Sequence, residues 1–256
     1  MVLAEKIVKA WDMSAKGYSK KCVIDDFVSP GKDTWTEILT SLAPREGKQD
    51  ILDVGTGPGV FATLLSLAGH NVTGIDISEE MLKEARENAA RCGANPTFTI
   101  MDSQNITFED ESFDMIVSRN VMWIMEEPEK TYANWLRILK PGGRVVVFDG
   151  GHPARSKEEF VPDHGLDREE EYKRLFGEPM PISFEKNQWE IARGWKRELP
   201  LTYVARPEWD IDAMKRVGYV NVKWEDVNDK TNYNEKLAFL NKGRVFMCIQ
   251  GDKPSD

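Results

Sequence analysis

The chain has 256 residues, 41% of them hydrophobic and 30% charged, with a formal net charge of −9. That size suits one large domain, or a core domain carrying an elaborated insert. The acidic balance argues against a binder of nucleic-acid backbone, which needs clustered Lys and Arg; the basic pieces here, Lys20-Lys21 and Arg193 to Arg197, are short.

The first 45 residues read as helical, with breaks at Gly17 and Pro30-Gly31. Asp33 is placed to cap a helix carrying Trp35, Ile38, Leu39 and Leu42 at helical spacing. A repeating rhythm then begins. ILDV at 51–54 predicts a first strand and 61–68 the helix after it. A second strand follows over 71–76. Ser78 caps the next helix, with Glu79 and Glu80 in its first turn, where the helix dipole favours acids. Strands are expected over 97–102 and 112–118. A helix over 131–139 stops at Pro141-Gly142-Gly143, and a fifth strand follows over 144–149. Short β-branched strands alternating with helices predict a parallel sheet with right-handed crossovers. The rhythm fails at Gly150-Gly151. Residues 211–217 are helical again, 219–227 alternate like a strand, 232–240 are irregular or helical, and 244–251 form a last strand. Two strands joined without a regular crossover predict an antiparallel closure. The expected fold is α/β, a Rossmann-like, mostly parallel seven-stranded sheet. Its parts are an N-terminal helical cap over 1–45, a core over 46–150, an insert or lid over 151–208, and the closing end of the sheet over 209–256.

Cys22, Cys92 and Cys248 lie far apart and form no CxxC pair, the pattern of a reduced, cytoplasmic protein. The charged, amphipathic N-terminus has no apolar run suited to a signal peptide. No segment approaches the roughly 20 apolar residues of a membrane-spanning helix.

The motif GTGPG at 55–59 sits at the carboxyl end of the first strand, where open α/β sheets bind ligands. Glycine permits torsions and approach distances that a Cβ would block. Asp76, ending the second strand, is an acid placed to accept from ribose hydroxyls. Loop and acid together read as a nucleoside site. The dinucleotide pattern GxGxxG is not met, because Val60 stands where its last glycine would fall. Pro58 removes an N–H that a pyrophosphate would use, and no GK[ST] follows.

Four motifs in order, LDVGTGPG (52–59), VTGIDIS (72–78), MDSQNITFEDESFDMIVSRNVMWIM (101–125) and LKPGGRVVVFD (139–149), resemble the class I S-adenosylmethionine-dependent methyltransferases. The likeness is to the small-molecule branch that includes the ubiquinone/menaquinone methyltransferases. It covers roughly residues 50–150; WDMSAKGY (11–18) resembles the family's leading helix more loosely, and 151–208 match no motif. The resemblance implies S-adenosyl-L-methionine as cofactor, with S-adenosyl-L-homocysteine as product. It implies backbone contacts at Gly55 and Gly57, and Asp53 binding the cofactor's amino group directly or through water. It further implies Asp76 on the ribose, Ile77 on the adenine, Asp102 and Ser103 at the adenine edge, and Asn120 beside the methionine part. Val121 and Trp123 would line the reaction cavity, and Tyr18 and Trp35 would close over the cofactor. Each has a plainer alternative: Asp53 as a helix cap, Asp102 as a turn acid, Trp35 and Trp123 as core.

Methyl transfer needs mainly alignment and exclusion of water. A general base is required only where the acceptor arrives protonated. Asp149 and His152, just after strand five, are the candidate catalytic residues; His titrates near neutrality. His164 is a weaker candidate and His70 is remote. No ligand spacing for a metal exists. In the insert, Trp189 and Trp195 are candidate acceptor contacts, rings being suited to an apolar or cationic molecule, unless these aromatics form a small satellite core. The expected partner is a small-molecule acceptor, with no nucleic acid and no membrane span. Acceptor identity and oligomeric state stay open. The competing readings are a silent S-adenosylmethionine-binding sensor or assembly protein, an NAD(P)-dependent oxidoreductase, and a protein or RNA methyltransferase.

Overall fold

A seven-stranded sheet organises the chain, and its strand order is 3-2-1-4-5-7-6. The computed structural model describes residues 3–154, 156, 168–180 and 196–255, the side chains of 23–25 excepted. The strands are β1 (Asp50–Val54), β2 (Asn71–Asp76), β3 (Thr97–Ile100), β4 (Phe113–Arg119), β5 (Leu139–Gly151), β6 (Val220–Asp226) and β7 (Val245–Asp252). Strands β1 to β5 pair in parallel, and β7 runs antiparallel to both β5 and β6. The expected antiparallel closure is thus present, made by β7 inserted between β5 and β6.

The central strands are buried on both faces, which is why they read as continuous apolar runs. Alternation along each strand assigns the faces. Leu52, Ile116, Val145 and Val147 pack with Tyr132 and Trp135 of α5 (Pro128–Ile138). They also meet Ala213 and Met214 of α7 (Glu208–Val217). Ile51, Met115, Val117, Val146 and Phe148 face the other way. They pack under Trp35 and Leu39 of α2 (Gly31–Ser41) and Phe61 and Leu64 of α3 (Val60–Leu67).

Three local expectations are corrected. The first helix, α1 (Leu3–Asp25), runs unbroken through Gly17. A mid-helix glycine costs only about 1 kcal/mol, and α1 is clamped along α4 (Glu79–Cys92) by Ser78 Oγ donating to Asp12 Oδ1 at 2.5 Å and Asn88 Nδ2 donating to Ser19 Oγ at 3.1 Å. Helix α2 starts at Gly31 after Pro30, so Asp33 lies in its first turn and makes no cap. Strand β5 begins at Leu139, because Pro141-Gly142-Gly143 form a register shift against β4 instead of a stop. Ser78 does cap α4, accepting from Met81 N at 3.1 Å.

One buried ion cluster fastens the segment before α7 to the sheet. Arg206 Nη1 bonds Asp149 Oδ2 at 2.8 Å, while its Nε and Nη2 grip both oxygens of Asp210 at 2.7 and 2.8 Å. Tyr132 donates its hydroxyl to Asp210 Oδ1 at 2.8 Å. All three charged side chains are at most 2% exposed. Removing the cation strands two carboxylates in the interior. Arg206→Met is therefore expected to lower the unfolding free energy by about 3–5 kcal/mol, read from the urea midpoint at constant slope. A loss near zero would show that the cluster carries no stability.

Candidate active site

The loop after β1 turns through three left-handed glycines, Gly55 (φ 63°), Gly57 (φ 53°) and Gly59 (φ 82°). They are needed for different reasons. A Cβ on Gly55 would lie 2.3 Å from Val121 Cγ2, and one on Gly59 2.9 Å from Ala85 Cβ, so these two are held by packing. A Cβ on Gly57 would meet only the Gly55 carbonyl, at 4.0 Å. Gly57 is therefore the position where the loop stays open. Asn88 Nδ2, besides holding Ser19, donates to Pro58 O at 2.9 Å, tying the loop to α1 and α4.

Asp53 is buried beneath this loop. Its Oδ2 accepts from Thr56 Oγ1 at 2.6 Å and from Ala62 N, in the first turn of α3, at 3.0 Å. The plainer reading as a helix cap is thus at least part of its work. Asp76 is half-buried, its Oδ2 accepting from Gly57 N and its Oδ1 from Ser78 N, both at 2.9 Å. Burial pushes both carboxyls up from 3.8 to about 6. Ile77 follows, half-buried. Asp102 shapes its own turn, accepting from Gln104 N and from Asn105 Nδ2. Ser103 is buried beside it, its carbonyl accepting from Trp135 Nε1 at 3.1 Å. Asn120 has φ 59° and donates from its backbone to Phe148 O at 2.8 Å. These residues lie at the carboxyl ends of β1 to β4.

A cavity of about 1080 Å³ lies over the ends of β4 and β5 and the start of β7, and of the residues above it is walled by Asn120. Tyr18, Trp35, Arg119, Asn120 and His152 are among its walls. Trp35 is only 3% exposed and is pinned by Nε1 donating to Asp26 Oδ1 at 3.1 Å, so it is a fixed wall instead of a moving lid. His152 pairs with Arg206 through two backbone hydrogen bonds, and its Nδ1 lies 3.1 Å from the Pro153 carbonyl.

Asp149 is corrected as an acceptor-facing acid. Period two along β5 sets it with Val145 and Val147, toward α5 and α7, where Arg206 holds it. Its oxygens also accept from Trp123 N and Gly150 N, each at 2.9 Å. Trp123 itself packs on Ile7, Ala10 and Leu199, with Lys196 Nζ 5.2 Å from its ring centre, and is not among the cavity walls. Trp189, Trp195 and His164 lie outside the described residues. Tyr172 and Phe176 of α6 (Glu169–Phe176) pack against Phe239, which is a satellite core. His70 sits at the far end of β2, with Nδ1 accepting from Gln49 N. Among the described residues, no group of three or more His, Cys, Asp or Glu is arranged for a metal.

The sequence reading passed over Arg119 and Asp26. Arg119 ends β4 on the same face as Val117, which is in register with Asp53. Its Nη2 bonds Asp26 Oδ2 at 3.0 Å, and its guanidinium carbon lies 5.3 Å from the Trp35 ring centre and 4.9 Å from that of Phe61. Burial alone pushes the Asp26 carboxyl up, but the Arg119 charge and hydrogen bond more than offset this and hold it below the ordinary value. An alternating strand that ends in a charge under aromatic helices was the available signal.

S-adenosylmethionine fits what is present. The open side of Gly57 leaves room for close approach, and two carboxylates match an ammonium and a ribose diol. Ionised carboxylates are the better acceptors. Affinity for S-adenosylhomocysteine is thus expected to rise as pH climbs from 5 through about 6 to 7, as Asp53 and Asp76 lose their protons. In the unliganded protein these two carboxyls are expected to contribute with the opposite sign: their share of the stability falls between 3.8 and about 6, because the unfolded chain releases these protons first. Titration calorimetry and urea melts across that range check both; a flat affinity profile would remove the two acids from the site.

Comparison with known proteins agrees. Residues 52–147 match the family model described as a methyltransferase domain. A phosphatidylethanolamine N-methyltransferase of Cereibacter sphaeroides is 38% identical over 111 residues, covering 42% of this chain and 52% of that protein. A demethylmenaquinone methyltransferase of Tropheryma whipplei is 30% identical over 150 residues, covering 59% and 61%. The chain thus spans a little over half the length of these relatives. A solved structure of a Haemonchus contortus phosphoethanolamine N-methyltransferase 2, in complex with phosphomonomethylethanolamine and S-adenosylhomocysteine, superposes with a TM-score of 0.67 at 18% identity, covering 99% of this chain and 60% of that one; it shows the fold. The glycine loop and the paired acids thus lie within residues that match a methyltransferase domain and resemble the class I S-adenosylmethionine-dependent methyltransferases.

Proposed function

We propose that the protein transfers a methyl group from S-adenosylmethionine to a small molecule held in the cavity over β4, β5 and β7. The observation that carries this reading is a cavity of about 1080 Å³ walled in part by Asn120, whose neighbour Val121 packs at Gly55 of the glycine loop. When bound, the cofactor supplies a methyl group on sulfur already activated by positive charge. Everything else falls to the chain. The Gly55–Gly57 backbone and Asp53 hold the methionine part, Asp76 the ribose, and Ile77, Asp102 and Ser103 the adenine. Tyr18 and Trp35 wall the junction with the acceptor and exclude water, so the gain comes from alignment and from a dry site. His152, on the cavity wall, is the residue placed to take a proton if the acceptor arrives protonated. Asp149 supports it indirectly, through the Arg206 bridge.

The net charge of −9 supports a small acceptor over a nucleic acid. The relatives' names, one for a phospholipid amine and one for a quinone, also favour small acceptors without choosing between them. Among the described residues, no helix is long and apolar enough to cross a membrane. The buried thiols of Cys22 and Cys248 favour a reducing, cytoplasmic setting.

Calorimetric titration with S-adenosylmethionine, S-adenosylhomocysteine and NADH tests the cofactor, and donor consumption over a panel of amines, thiols, phenols and carbon acids tests turnover. The two adenosyl ligands are expected to bind and NADH is not. Asp76→Ala is expected to weaken adenosyl binding about 10- to 100-fold, the scale of a charge-assisted hydrogen bond. Binding of NADH alone would overturn the reading, and adenosyl binding without turnover on any acceptor would favour a sensor.

A further inference from the structure

We infer that Arg119 is an anion-receiving residue of the cavity, an N–H of its guanidinium donating to a carboxylate or phosphate oxygen at the junction of cofactor and acceptor. The inference rests on the methyltransferase reading for its setting, and on Arg119's own geometry for its content. The guanidinium is held in place before any ligand arrives. Asp26 bonds Nη2, the Trp35 and Phe61 rings lie against the group, and Cys22 Sγ is 3.9 Å from Nη2. Asp26 is itself fixed by Trp35 Nε1. This anchoring uses one nitrogen. Among the described residues, Nε and Nη1 make no hydrogen bond, yet the side chain keeps 14% of its surface open and lines the cavity.

Arginine presents its donors as a planar fork that matches carboxylate and phosphate. A guanidinium anchored through Nη2 in a cavity wall has already lost much of its rotamer freedom, so little is left to lose on binding. The local field points the same way. Lys21, Arg168 and Arg244 share the wall with Asp26 and Glu208, in a chain whose net charge is −9. A cationic group brought against this edge would be repelled. Two sources can supply the oxyanion: the α-carboxylate of the cofactor's methionine part, or an acidic group on the acceptor.

The test is titration calorimetry of the full chain, R119Q and R119K with three probes. These are S-adenosylhomocysteine, 5′-methylthioadenosine, which lacks the amino-acid carboxylate, and inorganic phosphate. If the cofactor is the source, R119Q weakens S-adenosylhomocysteine about 10- to 100-fold and leaves 5′-methylthioadenosine unchanged. If the acceptor is the source, both adenosyl affinities hold, while phosphate binds the unaltered chain and not R119Q. Unchanged binding of all three probes overturns the inference. So does parallel loss of both adenosyl ligands in R119Q and R119K alike, which would mark a packing role. Should R119Q fail to fold, R119K carries the same comparison, since lysine keeps the charge but not the fork. The unaltered chain gives an independent reading through the Arg119 Nε–H resonance. A shift on adding S-adenosylhomocysteine or phosphate supports the assignment, and an unmoved signal overturns it. Failure of the unaltered chain to bind either adenosyl ligand would sink the methyltransferase reading, while the phosphate arm would still decide Arg119.

Discussion

The buried cluster of Arg206, Asp149 and Asp210 is the constraint around which the site is assembled. One guanidinium joins the end of β5 to the start of α7, and Tyr132 of α5 joins through Asp210. Asp149 also accepts from Trp123 N, which fixes the turn after β4, and the Arg206 backbone bridges His152. A buried pair of this kind is weak evidence for net stability against a hydrophobic replacement, yet costly to break from one side. Its clear consequence here is geometric. The turn carrying Trp123, the strand end carrying His152 and helix α7 all take their positions from Arg206 and its two carboxylate partners.

A second polar seam does the same work on the cofactor side. Asn88 reaches both Ser19 and the Pro58 carbonyl, and Ser78 reaches Asp12 while capping α4. The glycine loop is therefore not a free flap. It is bounded by Val121 below Gly55 and by Ala85 beside Gly59, and only Gly57 faces open space. The N-terminal helix reaches the cavity with Tyr18 because these bonds align α1 along α4. Preorganisation of this sort is what a reaction driven by alignment requires.

The two faces of the sheet divide the charged groups. Arg119 and Asp53 lie on the α2–α3 face, Asp149 on the α5–α7 face. The first face meets the cavity beneath aromatic rings. The second closes over Asp149, which burial pushes up despite the neighbouring Arg206. Two acids at strand ends thus have different occupations, decided by strand parity and by which helices cover each face.

Local chemistry made much of the fold legible. β-branched runs, the Ser78 cap and the breaker-bounded spacing placed the parallel core, and GTGPG with Asp76 marked the ligand edge, because such signals act over a few residues. The four ordered motifs extended that to the cofactor. What tertiary structure alone decided lies in long-range pairing. Arg206 meets Asp149 across 57 residues, and Arg119 meets Asp26 across 93. Both pairings turned on folding: the first took Asp149 out of the candidate catalytic pair, the second created a fixed arginine edge in the cavity. A sequence shows that a charge exists and how its neighbours alternate. Its partner, and so whether it is spent on holding the fold or left facing a ligand, is settled only when distant segments pack.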